Sequence, residues 1–196
     1  TGSCDYTISD LFVPTCRTFS VLEPPWRGGP LYGMPIHAFL TPDHTAIALG
    51  CARRALEEAA RGAIGNLRIS TAVALGDRPA FQRDLGRADT RLASARTQVR
   101  DVIQTVWSVA SAGGTVDADL LLRCRTVATL AAEVAVEVAT FAYRCGGAHA
   151  LVGDSLLDRA YRDAMTATQH VHVTDEVYER RGEAILARLA NTEQSA

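Results

Sequence analysis

The chain has 196 residues, 47% hydrophobic and 21% charged, with glycine and proline at ordinary levels. That composition excludes disordered, collagen-like and low-complexity proteins, and a chain of this length buries roughly 70% of its unfolded surface without disulfide or metal staples. The formal net charge is -2 with neither sign collected into a block, which argues against nucleic acid as a partner.

All 20 basic residues are arginine, so a P-loop lysine and Schiff-base chemistry are excluded. The cysteines at 4, 16, 51, 124 and 145 are odd in number, scattered and never spaced as CxxC. They fit neither a disulfide framework nor a zinc ribbon, and a reducing, cytoplasmic location is expected. No uninterrupted apolar run reaches the length of a bilayer span and no basic-then-apolar leader opens the chain, so no membrane partner is expected. The start at Thr1-Gly2-Ser3 without methionine suits a piece of a longer polypeptide.

Six of the seven prolines lie at or before Pro42, and the first 40 residues differ from the rest. Tyr6 to Val13 is β-branched and aromatic and stops at Pro14, which reads as one strand or two short ones. Such a piece needs further strands, so residues 1–20 read as the end of a sheet. Residues 21–33, dense in proline and glycine, read as an irregular connection.

From Thr41 the pattern is helical. Thr41 as N-cap and Pro42 at the first position open a helix over 42–62, with Ile47, Cys51, Ala55, Leu56, Ala59 and Ala60 as its apolar stripe. A second, over 78–112, carries Phe81, Leu85, Ala88, Leu92, Ala95, Val99, Val102, Val106 and Val109 and stops at Gly113-Gly114. Asp117 caps a third, over 117–145, with Leu120, Leu121, Val127, Leu130, Val134, Val138 and Phe141 inward. Further helices follow over 155–168 and 174–189. The expected fold is all-α: residues 41–196 an antiparallel four-helix-type bundle, residues 1–40 a short extended remnant of a β domain with its linker.

Three constellations carry candidate chemistry. His170-Val171-His172 with Asp175 and Glu176 suggests a metal, yet histidines two apart share a face only in an extended segment, and only a helix brings His172 to Glu176, so no metal site is expected and His172 should point away from His170. Ser155, His149 and Asp154 lack a nucleophile elbow, and Ser155 reads as a helix cap. Asp163 with Arg159 reads as an intrahelical ion pair. Gly146-Gly147 reads as a helix stop or as a place where a ligand such as a phosphate meets the backbone.

Two stretches decide between these readings. The first runs from Thr1-Gly2-Ser3 through Asp10-Leu11-Phe12-Val13-Pro14 to Leu31-Tyr32-Gly33-Met34-Pro35-Ile36 and Ala48-Leu49-Gly50-Cys51-Ala52-Arg53. The second is Arg144-Cys145-Gly146-Gly147, then Leu156, Arg159, Arg162-Asp163 and Gln169-His170. Together they resemble the C-terminal part of the acyl-CoA dehydrogenase superfamily, in the type 2 branch that includes two-component flavin-dependent monooxygenases. The resemblance implies a C-terminal fragment, the tail of the middle β domain plus the helical bundle, inactive alone, from a homodimer or homotetramer that binds FMN or FAD between subunits.

Many dehydrogenases of the family place a proton-abstracting glutamate where this chain has Val171, and valine accepts no proton. Gln169-His170 instead resembles the monooxygenases. The resemblance implies His170 as the catalytic group, either a base or a donor to a flavin peroxide, with Arg144, Gly146 and Gly147 approaching a neighbour's flavin and Gln82 reaching the cofactor from the long helix. A family arginine before Gln82 corresponds to Arg68 or Arg78. The implied activity is hydroxylation of an aromatic or amine small molecule through a C4a-hydroperoxyflavin, with reduced flavin supplied by a separate reductase. An acyl-CoA dehydrogenase with its base elsewhere, or a non-catalytic helical assembly module, are the alternatives.

Overall fold

Apolar residues recurring every three or four positions wind this chain into helices wherever a stripe finds a partner. A computed structural model describes residues 4–20, 28–67 and 72–193. Its five α-helices are α1 (Ile36–Ala63), α2 (Pro79–Ser111), α3 (Ala118–Gly146), α4 (Leu156–Ala167) and α5 (Glu176–Glu193), with short 3-10 turns at Thr15–Arg17, Leu75–Asp77 and Gly147–Leu151. The described residues contain no strand. Tyr6 to Val13, expected as strand, is irregular, and the exposure of Tyr6 and Phe12 shows why: no neighbouring ladder pairs with it. Thr1-Gly2-Ser3, residues 21–27 and Arg68 lie outside the described residues.

The bundle is built on a seam of small residues. Ala48, Ala52, Ala55 and Ala59 of α1 meet Ala128, Ala131, Ala135, Ala139 and Ala142 of α3, all buried. Alanine lets the two backbones approach closely, so α3 packs more extensively on α1 than on any other helix. α2 covers the pair with Leu92, Ala95, Val99, Val102 and Val106, and α4 adds Leu157, Ala160 and Ala164. Phe81 stacks on Phe141 at 6.0 Å, and Leu157 lies beside Gly146. Hence α1 and α3 run one way, and α2 and α4 run against them. Ile47, expected in the stripe of α1, is 62% exposed, because the buried face is one residue round the helix, at Ala48 and Leu49.

Composition and length would allow α3 to cross a membrane, contrary to the reading of apolar runs alone. In the bundle its apolar faces are covered by α1, α2, α4 and α5.

α1 begins at Ile36, with Pro35 at its N-cap, and Pro42 lies inside it. Proline lacks the N–H that would bond the Ala38 carbonyl. The helix continues through it because Ala38, Thr41 and Thr45 are buried against the bundle, while the Thr41 and Thr45 hydroxyls donate to the His37 and Thr41 carbonyls, at 2.8 and 2.7 Å. This extra N-terminal turn places His37 on a helix. Asp117 caps α3, accepting from the Leu120 amide at 2.8 Å, and Ser155 caps α4, accepting from the Asp158 amide at 3.4 Å. Asp158 takes the ion pair of α4, bonding Arg162 at 2.9 Å. Asp163, expected to pair with Arg159, instead faces Cys51, whose thiol is pushed up by burial and by that carboxylate.

Candidate active site

His37, Thr41 and His44 share one face of α1, three or four residues apart. The turn between α4 and α5 brings His170 and His172 against that face. His37 Nδ1 lies 3.1 Å from His172 Nδ1, with the rings edge to face. His44 lies 4.8 Å from His170, centre to centre, and His170 stacks on His172 at 5.1 Å with the rings 5° from parallel. The expectation that His172 points away from His170 is overturned. The turn is tight, with the Val173 amide donating to the His170 carbonyl at 2.8 Å, so two residues of chain reverse direction and the rings overlie one another. His172 is 2% exposed, while His170 is exposed.

The His172 backbone N–H donates to His170 Nδ1 at 3.2 Å. Neutral His170 therefore carries its proton on Nε2. The His172 carbonyl faces the Thr129 hydroxyl of α3 at 3.5 Å. Burial first, then the neighbouring His37, His170, His44 and Arg125, hold the His172 imidazole down at about 4. Burial and His170 also lower His44. Among the described residues no group of three or more His, Cys, Asp or Glu side chains is placed to hold a metal ion. Glu176 is paired with Arg180. The sequence reading missed His37, His44 and Arg125; the signal for the two histidines was their spacing of seven, hidden because the helix was expected to start after His37.

The other predicted site residues lie elsewhere. Gln82 is exposed on the first turn of α2 and donates to the Gly76 carbonyl at 2.9 Å, and Arg78, before it, bonds the Val73 carbonyl at 3.2 Å. Arg144 is exposed at the end of α3. A Cβ on Gly146 would stand 2.5 Å from Leu157 Cδ1, so this glycine lets α4 pack against α3. Gly147 has φ +55 and open space around it; backbone conformation, not crowding, calls for glycine there. The structure brings Gln82, Arg144, Gly146 and Gly147 to the Ala63 end of α1 through Phe81, Phe141, Cys145 and Ala63. It does not bring them to His170, which sits by His44, about 28 Å away along α1 at 1.5 Å per residue.

A cleft of about 270 Å³ at that end is lined by Glu58, Asn66, Cys145, Gly146, His149 and Ser155. Its serine is occupied as the α4 cap, so His149 and Ser155 share a cleft without forming a nucleophile and base. A second, apolar cavity of about 240 Å³ lies between α1, α2 and α3, with Met34, Phe39, Thr41, Ile103, Trp107 and Cys124 on its walls.

Residues 43–175, which include α1 to α4 and the His170–His172 turn, match the model of the acyl-CoA dehydrogenase C-terminal domain. The chain belongs to this family. An indole-3-acetate monooxygenase of Pseudomonas putida is 35% identical over 182 residues, 93% of this chain and 47% of that protein. The chain thus spans about half the length of this curated relative. Among solved structures, 3-HSA hydroxylase from Rhodococcus sp. RHA1 superposes with a TM-score of 0.80 at 22% identity, over 92% of this chain and 49% of that one. XiaF from Streptomyces, solved with FADH2 and glycerol, gives 0.75 at 20% identity over 81% and 41%. At these identities the two structures establish the acyl-CoA dehydrogenase C-terminal fold, the all-helical bundle expected from the sequence.

Proposed function

We propose that this chain is the helical part of a flavin-dependent monooxygenase that hydroxylates an aromatic small molecule, working as an oligomer with reduced flavin supplied by a separate reductase. The observation that carries the reading is the histidine cluster in the turn between α4 and α5; the family resemblance implies that Val171 of this turn stands where many dehydrogenases carry a proton-abstracting glutamate. Hydrogen removal beside an acyl thioester needs a strong enough base; imidazoles and an arginine surround this turn instead. The named activity of the Pseudomonas putida relative supports the same reading. Five free cysteines suit a cytoplasmic enzyme.

The residues present fit a flavin. Arg144 and the open Gly147 turn can meet a phosphate, with Gln82 at the same end of the bundle; standing about 28 Å from His170 along α1, they would serve the flavin of a neighbouring subunit and not the one beside their own His170. When bound, the flavin would supply the electrons that activate dioxygen. His170 then acts from the turn: with Nδ1 accepting from the His172 amide, its Nε2–H donates to an oxygen atom in the site. His172 and His44 brace this ring on two sides.

The test uses the intact protein with reduced flavin, oxygen and indole-3-acetate, following hydroxylated product and peroxide. Product formation that falls 10²–10⁴-fold in His170→Ala, the usual worth of general acid–base help, supports the reading. Anaerobic bleaching of the oxidised flavin by butyryl-CoA, with no hydroxylated product, would replace it by the dehydrogenase reading.

A further inference from the structure

Two buried nitrogens at the cluster have no hydrogen-bond partner: His44 Nε2 on α1 and Arg125 Nε on α3. The His44 side chain is only 8% exposed. An unpaired polar atom in such a place costs free energy and is kept where a ligand completes it. His44 lies 4.8 Å from His170, and Arg125 stands one helical turn before Thr129, whose hydroxyl meets the His172 carbonyl, so the two approach the turn from different helices.

The surroundings fix the sign of the missing partner. α1 presents His37 and His44, α3 presents Arg125, and the turn presents His170 and His172; every group acting on His172 or His44 is an imidazole or the guanidinium. The nearby carboxylate of Glu133 is taken by the Tyr178 hydroxyl at 2.8 Å, and Asp175 acts on that same phenol. The groups at the cluster are thus donors, while the carboxylate of Asp43, next to His44 in sequence, is on the wall of the apolar cavity. The apolar cavity of about 240 Å³ lies on the Thr41 and Cys124 side of the same two helices, with the α2 residues Ile103 and Trp107 opposite, and none of these five donors lines it.

We propose that Arg125 and His44 seat the carboxylate of an aryl-acid substrate, making them specificity-determining residues of the site that His170 serves. The inference rests on the monooxygenase reading for the aryl substrate, but not for the anion. A bound carboxylate would favour protonated His44, so binding takes up a proton and tightens as pH falls.

The experiment is calorimetric binding of phenylacetate and its neutral isostere phenylacetamide to the intact protein, without turnover, between pH 8 and 6. Phenylacetate should bind at least about tenfold tighter, the equivalent of one charge-assisted contact, and tighten further toward pH 6. Arg125→Gln should erase that preference while leaving phenylacetamide binding and the unfolding temperature unchanged. His44→Gln should remove the pH dependence. Equal affinity for the two probes, equal loss of both in Arg125→Gln, or no phenylacetate binding by the folded protein each overturns the proposal. Hydroxylation without carboxylate preference would sink the anion seat alone; carboxylate preference without hydroxylation would sink the monooxygenase reading alone.

Discussion

The Nδ1 atoms of His37 and His172 stand 3.1 Å apart, so one must donate and the other accept, and the pair cannot bind protons on both nitrogens without losing the bond. The burial of His172 sets the cost. Unfolded, its imidazole would take a proton near 6.5; in the fold it waits until about 4. Between those values the unfolded chain binds more protons, so stability is complete above pH 6.5, declines as pH falls toward 4 and levels off below. His44, also lowered, adds in the same direction. Denaturant unfolding at pH 7.5, 5.5 and 4 should show this decline, and His172→Gln should make it shallower. An unchanged slope in that variant would place the acid sensitivity elsewhere.

The stacked pair also changes what is expected of catalysis. His172→Ala keeps the backbone N–H that sets the His170 tautomer but removes the ring at 5.1 Å. Product formation should fall less than in His170→Ala, with more peroxide released per flavin consumed and a displaced pH profile. A variant with wild-type coupling and pH profile would show that the stack is packing alone.

Gly146 and Gly147 separate under substitution. Gly146→Ala drives a methyl to 2.5 Å from Leu157 Cδ1 and 3.0 Å from Ala150, an overpacking that costs about 1–3 kcal/mol. Leu157→Ala should recover part of it in the double variant. Gly147→Ala meets open space but must hold φ 55 and ψ -136, a conformation used almost only by glycine, at a cost of about 1–3 kcal/mol. Chemical denaturation of the three proteins checks this, and a Gly146→Ala loss that Leu157→Ala does not reduce would contradict it.

Leu92 is 2% exposed and Ile47 62%. Leu92→Ala should cost about 2–5 kcal/mol by leaving a cavity, and Ile47→Ala should stay within about 0.5 kcal/mol of the parent. A large loss at Ile47 would mean that another surface covers it.

The helices were legible because their stripes repeat over many turns: Phe81 to Val109 predicts α2 almost to its ends, and Asp117 and Ser155 mark the starts of α3 and α4. Proline misled the reading of α1, since Pro42 suits a first helical turn so well that an interior position, sustained by the burial of Ala38, Thr41 and Thr45, left no sequence signal. His170 was visible only through family resemblance. His37, His44 and Arg125 were not, because their meeting depends on how α1, α3 and a turn distant in sequence come together. The Gly146-Gly147 pair carried two readings, and Leu157 shows that Gly146 answers a steric demand whatever else the pair does.

The alanine seam between α1 and α3 has a consequence for order. Alanine has no rotamer to freeze, so closing Ala48, Ala52, Ala55 and Ala59 onto Ala131, Ala135 and Ala139 loses no side-chain entropy, where a leucine seam would surrender about 0.5–1 kcal/mol per residue. Contact without alternative side-chain positions leaves one way for the surfaces to fit. Sliding between the two helices has no rotamer change to absorb it, so α1 carries His37 and His44, and α3 carries Arg125, in a common frame that is stiff before any ligand arrives.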